Sequence, residues 1–100
     1  MEEKRVHPRI PINIDVSCEI KDAAAVTGVA KDLSLGGMFI ESEQTLGFGA
    51  DITIVIRLPG ASSESRLPAV VRWSKPGGFG VQFGLLGARE THAITTLLKF

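Results

Sequence analysis

The sequence predicts an all-β fold followed by a C-terminal helix. Apolar and polar residues alternate strictly over residues 12–20, and five further short apolar stretches follow between turns rich in glycine and proline. From Arg89 onward the apolar spacing becomes helical. Six short strands with little room for crossovers imply an antiparallel sheet, closed as a barrel or folded as a sandwich. The terminal helix is expected to cover an open end or one side of it.

The first strand, residues 12–20, is the most regular element. One face carries apolar side chains and the other carries polar ones, which is typical of a strand with one face in water. Pro8 and Pro11 keep the residues before it extended. The apolar face consists of Ile12, Ile14, Val16, Cys18 and Ile20.

The other elements are predicted from shorter runs bounded by turn-forming residues. The helix follows from the spacing of Ile94, Leu97 and Leu98, which share one helical face. The remaining strands are predicted at 25–33, 38–42, 51–58, 67–73 and 79–83, and the helix at 89–99.

Composition and charge limit the classes of function. The 100 residues suffice for one domain, and eleven basic side chains balance eleven acidic ones. Neutrality argues against binding to DNA, RNA or a membrane surface, although a local basic site remains compatible with it. Cys18 is the single cysteine, so it forms no internal disulfide and is predicted to be a buried, inert thiol. Because no stretch approaches about 18 apolar residues and no signal-peptide pattern is present, we expect a cytoplasmic protein without membrane insertion.

The sequence offers no catalytic or metal-binding pattern. Its two histidines, His7 and His92, lie beside no recognisable nucleophile. Two histidines and one cysteine without close spacing also make a poor set of metal ligands. We therefore expect neither an enzyme nor a metalloprotein.

The first candidate binding motif is Arg5-x-x-x-Arg9. Arginine forms bidentate contacts with phosphate, pairs with the O6/N7 edge of guanine and stacks on bases. On an extended segment the two arginines are about 13 Å apart, which suits a ligand with several anionic or guanine groups. Taken alone, the pair favours the simpler interpretation of a solvated charged tail.

The second candidate motif is DLSLGG, residues 32–37. The Asp32 carboxylate can accept hydrogen bonds from N1–H and the N2 amine of guanine, and Ser34 points the same way if the chain is extended. Gly36 and Gly37 allow a sharp turn and the close approach of another group. A hairpin turn closed by Asp and Ser explains the same residues equally well.

Together, the two motifs resemble the signature of the PilZ domain family, RxxxR followed along the chain by [D/N]xSxxG. The resemblance covers residues 1–100, because DLSLGGMFIES (32–42) is similar to the core segment of the family and AVVRWSKPGGFGVQF (69–83) to its penultimate hairpin. It implies a six-stranded antiparallel β-barrel over residues 12–84 with a C-terminal α-helix. The matching motif residues are Arg5, Arg9, Asp32, Ser34 and Gly37.

The resemblance also implies a ligand, the bacterial second messenger cyclic di-GMP, and no cofactor. Residues 1–11 would form a flexible segment that folds over the ligand. Arg5 and Arg9 would contact phosphates and guanine edges. Asp32 and Ser34 would bind a guanine, and Gly37 would make the turn that lets it sit close.

Four further residues are weaker candidates for the same site. Lys4 precedes the arginine motif and would add a phosphate contact, and Gly36 belongs to the turn. Some family members stack an aromatic ring on a guanine at the position of Trp73, but its alternation with Val71 predicts a core residue. Arg72 lies on the opposite face and is expected to be exposed, with ligand contact as the alternative.

The predicted function is a receptor for cyclic di-GMP, monomeric or weakly dimeric, in which ordering of residues 1–11 relays the signal to a protein partner. The alternative is a PilZ-like adaptor in motility or secretion that binds another protein without a ligand, and the presence of all five motif residues argues against it. A barrel that binds single-stranded nucleic acid by stacking is a third possibility. Zero net charge, one tryptophan and no tyrosine argue against that one.

Overall fold

Residues 9–98 are described by a computed structural model, and they form six strands and one helix in the predicted order. The elements are β1 (Ile10–Glu19), β2 (Val26–Leu33), β3 (Gly37–Glu41), β4 (Asp51–Ile56), β5 (Ser65–Lys75), β6 (Gly78–Phe83) and α1 (Ala88–Leu98).

The six strands form a closed antiparallel barrel. Its strand order is β1-β2-β3-β6-β5-β4, and every neighbouring pair is antiparallel. The barrel closes where β1 pairs with β4, with Cys18 opposite Ile54. Because the barrel is closed, every strand within residues 9–98 has two neighbouring strands, whereas a sandwich has edge strands that must be protected in another way. Of the two predicted architectures, the barrel is therefore confirmed and the sandwich is not.

The interior is filled by the alternating apolar residues that the sequence predicted. In β4, Ile52, Ile54 and Ile56 all point inward and are almost fully buried. Ile94 of α1 is also fully buried and belongs to the same core cluster, so the helix packs on the barrel through this residue. Cys18 is a buried free thiol, as predicted, and burial raises its pKa from 9.0 to about 11.

Several element boundaries differ from the predicted ones because cross-strand pairing extends beyond the regular alternation. Strand β1 begins at Ile10 rather than residue 12, since Ile10 pairs with Leu33 and Pro11 with Asp32. The last two residues of the predicted flexible segment 1–11 are therefore part of the barrel. Strand β5 continues to Lys75 rather than residue 73, because Lys75 pairs with Gly78 across a tight turn.

Candidate functional site

An open cavity of about 710 Å³ lies on the outer surface of the barrel, across the neighbouring strands β2, β3, β6 and β5. Every predicted site residue within the described range lines it, whereas Arg5 and Lys4 lie outside the described residues. The lining residues are Arg9, Asp32, Ser34, Gly36, Gly37, Met38, Phe39, Arg72, Trp73, Lys75, Gly80, Val81 and Gln82.

The two sequence motifs meet in this cavity through Arg9 and Asp32. Nη1 of Arg9 donates a hydrogen bond of 2.9 Å to Oδ1 of Asp32, and the same oxygen accepts the backbone N–H of Phe39 at 2.9 Å. Register explains the contact, because Pro11 pairs with Asp32 and so brings the preceding chain beside the end of β2. The pair is partly exposed to water, so its own contribution to stability is small, about 0–1 kcal/mol.

Ser34 builds the turn between β2 and β3. Its Oγ accepts the backbone N–H groups of Gly36 at 3.2 Å and Gly37 at 3.1 Å, and donates to the carbonyl of Gly37 at 3.2 Å. A hydroxyl has one donor and two acceptor positions, and these contacts use all three. The structure thus supports the turn interpretation for a residue that is only 4% exposed. Because Ser34 lies beyond the end of β2, the alternation expected to align it with Asp32 does not apply, and its contact with a ligand stays a prediction.

Gly37 is needed for the close approach of β6, and the predicted approach of a ligand to this residue stays a prediction. It pairs with Gln82, and a Cβ at this position would overlap the backbone carbonyl oxygen of Val81. Within residues 9–98, left-handed φ angles occur at Asp22 and at three other glycines, so the backbone of Gly37 itself is not unusual. The close contact that requires glycine here is therefore with the neighbouring strand.

Trp73 is not a core residue, and the prediction from alternation is wrong. A bulge between Val71 and Trp73 places two residues of β5 opposite one step of β6, so the faces reverse after Val71. Val71 is fully buried, whereas Trp73 is 47% exposed and lines the cavity. Arg72 is exposed, as predicted, and its guanidinium lies 5.8 Å from the ring centroid of Phe48.

Trp73 and Phe39 form an aromatic pair on the outer wall of the barrel. Both residues pair with Gly80 of β6, Phe39 from β3 and Trp73 from β5. A Cβ at Gly80 would overlap the indole, so the missing side chain lets the two rings lie over this strand. The rings stack with centroids 5.4 Å apart and planes 10° from parallel. They provide a flat surface of the kind that binds a nucleobase.

The cavity is positively charged although the chain as a whole is neutral. Arg9, Arg72 and Lys75 supply three cationic groups and Asp32 supplies one carboxylate, an excess of two positive charges. Cations beside an aromatic surface and a carboxylate can together bind the phosphates, ring face and donor edge of a guanine nucleotide.

Phe39 and Lys75 also line this cavity, although neither was predicted to do so from the sequence. The outward position of Phe39 could have been predicted from the sequence, because Phe39 alternates with the buried Met38 and Ile40. The position of Lys75 could not, since Lys75 follows the bulge and lies beyond the predicted end of the strand.

The fold and site define a small antiparallel barrel domain whose outer wall carries a polar and aromatic cavity. The sequence model of the PilZ domain matches residues 3–100, so the chain belongs to the PilZ domain family. No curated protein sequence gives a significant match.

Solved structures with the same fold include two PilZ domains and a motility inhibitor. The chain is 26% identical to the PilZ domain of CeSA from a cellulose-synthesizing bacterium, with a TM-score of 0.72 over 91% of this chain and 94% of that one. The PilZ domain of YcgR from Escherichia coli, solved with c-di-GMP, is 15% identical with a TM-score of 0.78, covering 96% and 89%. The motility inhibitor MotI/DgrA of Bacillus subtilis is 19% identical with a TM-score of 0.78, and this chain, 97% of which aligns, spans 50% of its length.

Two further properties concern the described residues only. No helix within residues 9–98 combines the length and the apolar character that crossing a bilayer requires. In the same range, no three His, Cys, Asp or Glu side chains come together as metal ligands.

Proposed function

We propose that this chain is a receptor for cyclic di-GMP and binds it in the outer cavity of the barrel. The observation that carries the proposal is the meeting of the two motifs: Arg9 and Asp32, 23 residues apart in sequence, lie 2.9 Å apart in the cavity that the half-exposed Trp73 also lines. Membership of the PilZ family supports it, as do the PilZ domain of YcgR and the protein MrkH of K. pneumonia, both solved with c-di-GMP.

The guanine is recognised by Asp32 in this proposal. Guanine presents two donors on one edge, N1–H and the N2 amine, and a carboxylate accepts both when its two oxygens are available. Oδ1 of Asp32 already accepts hydrogen bonds from Arg9 and from the backbone of Phe39. A bidentate guanine contact therefore requires Arg9 to leave Oδ1, which frees its guanidinium for a phosphate or for the O6/N7 edge of a guanine.

The remaining groups complete the ligand site. The exposed face of Trp73 stacks on a guanine ring, and Arg72 adds positive charge for the two phosphates. Arg5 and Lys4 lie outside the described residues, and in the proposal they reach the ligand when the chain before β1 closes over it. Ordering that segment costs about 1–2 kcal/mol per residue, which the charge-assisted contacts must exceed. A protein partner then senses the closed segment.

Isothermal titration with cyclic di-GMP tests the proposal, with GTP and cyclic GMP as control ligands. We expect selective binding that weakens at least about tenfold in Arg5→Ala, Arg9→Ala and Asp32→Asn, because each leaves a buried polar group of the ligand unpaired. Asn at position 32 keeps an acceptor for the N–H of Phe39, so the fold is retained. Arg57→Ala is the matched control, since Arg57 is exposed and lies outside the cavity.

Absence of binding by the folded, unaltered chain would refute the receptor and favour the ligand-independent adaptor. Binding that survives unchanged in Arg9→Ala and Asp32→Asn would place the ligand elsewhere on the protein.

A further inference from the structure

Lys75 lies on the aromatic pair of the cavity and belongs to neither sequence motif. Its Nζ is 5.4 Å from the ring centroid of Phe39 and 5.7 Å from that of Trp73. Both distances are within the range of about 6 Å over which an ammonium group is attracted to a ring face. A cation thus lies on the surface where a base would stack.

We infer that Lys75 binds a phosphate of the nucleotide whose base stacks on Trp73. The inference rests on the proposed receptor function and adds to it a residue that selects a phosphorylated ligand over an uncharged base or nucleoside.

Lys75 and a stacked base would compete for the same aromatic surface. Stacked aromatic rings have centroids about 4.5–7 Å apart, and the ammonium of Lys75 is already in that range of both rings. A base that stacks on Trp73 must therefore displace the ammonium or lie directly beside it. In either case a cation is left next to the base, where the sugar and phosphate of a nucleotide extend.

The ammonium of Lys75 can exchange its contact with the rings for a contact with phosphate. At an exposed site, the attraction between a cation and a ring is weaker than a charge-assisted hydrogen bond to phosphate. The flexible four-carbon stem of lysine allows this exchange without movement of the backbone. Within residues 9–98, the ion pairs join Arg9 to Asp32 and Arg66 to Glu19, so no carboxylate of this range holds Lys75 in place.

A different role for Lys75 makes the opposite prediction. If the ammonium merely covers the rings in the free protein, its removal exposes the stacking surface and strengthens ligand binding. If it binds phosphate, its removal weakens binding. The sign of the change in affinity therefore decides between the two roles.

The experiment compares the full chain with Lys75→Met, Lys75→Arg and the control Lys21→Met. Methionine keeps an unbranched stem without the charge, and Lys21 is an exposed lysine in the turn after β1, outside the cavity. Each protein is titrated with cyclic di-GMP at low and high salt by calorimetry. Indole emission is followed in parallel and reports on Trp73 alone, because the chain has one tryptophan and no tyrosine.

We expect Lys75→Met to weaken binding about fivefold to tenfold and to lower its sensitivity to salt. Lys75→Arg should retain affinity within about twofold, since it keeps the charge. The change in indole emission at saturation should persist in both variants, because the base still stacks. Lys21→Met should match the unaltered chain.

Unchanged or tighter binding by Lys75→Met, with normal binding by the unaltered chain, would overturn this inference and leave the receptor function intact. Failure of the unaltered chain to bind cyclic di-GMP would overturn the receptor function and this inference with it.

Discussion

The substitution Gly37→Ala adds a single methyl group at a position that belongs to both the barrel and the cavity. In Gly37→Ala, the new Cβ overlaps the carbonyl oxygen of Val81. This oxygen belongs to the backbone, so it cannot move away by a side-chain rotation. Strands β3 and β6 must separate at this point. The separation disturbs the pairing of Gly37 with Gln82 and the neighbouring 2.8 Å hydrogen bond from the N–H of Phe83 to the carbonyl of Gly36.

The expected cost follows from these two effects. Weakening two backbone hydrogen bonds costs about 1 kcal/mol each. Overpacking adds about 1–3 kcal/mol, so the free energy of unfolding should fall by about 3–5 kcal/mol. For a domain of this size, 1 kcal/mol corresponds to about 4–8 °C in the unfolding midpoint, so the midpoint should fall by at least about 12 °C.

Thermal and urea unfolding followed by circular dichroism measure this loss. Gly47→Ala is the matched control, because a Cβ there meets no atom within 4 Å. It should leave stability unchanged or slightly raised, since alanine restricts the unfolded chain. A midpoint for Gly37→Ala within about 2 °C of the control would refute the close-approach argument.

Two further predictions concern buried groups. In Ser34→Ala, the buried N–H of Gly37 loses its acceptor, so the free energy of unfolding measured by urea titration should fall by about 1–3 kcal/mol. The control Ser63→Ala changes an exposed serine and should leave stability unchanged. Equal urea midpoints for the two variants would contradict the role of Ser34 in the turn. Burial raises the pKa of the Cys18 thiol from 9.0 to about 11 and favours its neutral form in the folded state, so this stabilisation is complete below pH 9 and is lost between pH 9 and 11. Relative to Cys18→Ala, the free energy of unfolding of the unaltered chain should therefore fall by about 2–3 kcal/mol over that interval. If the two proteins differ in this free energy by the same amount at pH 8 and at pH 11, the thiol does not titrate in this way.

Much of the fold was predictable because each strand with one buried face shows it directly as alternation. Val16 and Cys18 of β1, and the three isoleucines at 52, 54 and 56, were assigned inward and are buried. The motif residues Arg9 and Asp32 were also named from the sequence, and they lie together at one cavity. The choice between barrel and sandwich could not be made in this way, since alternation is the same in both and only the pairing of β1 with β4 closes the sheet.

The aromatic part of the site shows where alternation fails. A bulge adds one residue to β5 without changing the sequence pattern around it, and so Trp73 was assigned to the wrong face. The sequence likewise did not show why glycine is required at positions 37 and 80. Each glycine leaves room for a group from another strand, the Val81 carbonyl at Gly37 and the Trp73 indole at Gly80.

By itself, the sequence determined the inward-facing residues of the regular strands such as β1 and β4, and where the strands and helix lie to within a few residues. It also singled out Arg9 and Asp32, which line one cavity. These properties depend on local spacing along one strand or helix. The tertiary structure alone decided that Arg9 contacts Asp32, that Trp73 faces outward, and that Phe39 and Lys75 join it. The reason is that these contacts depend on register between different strands, and one bulge changes the register of every residue that follows it.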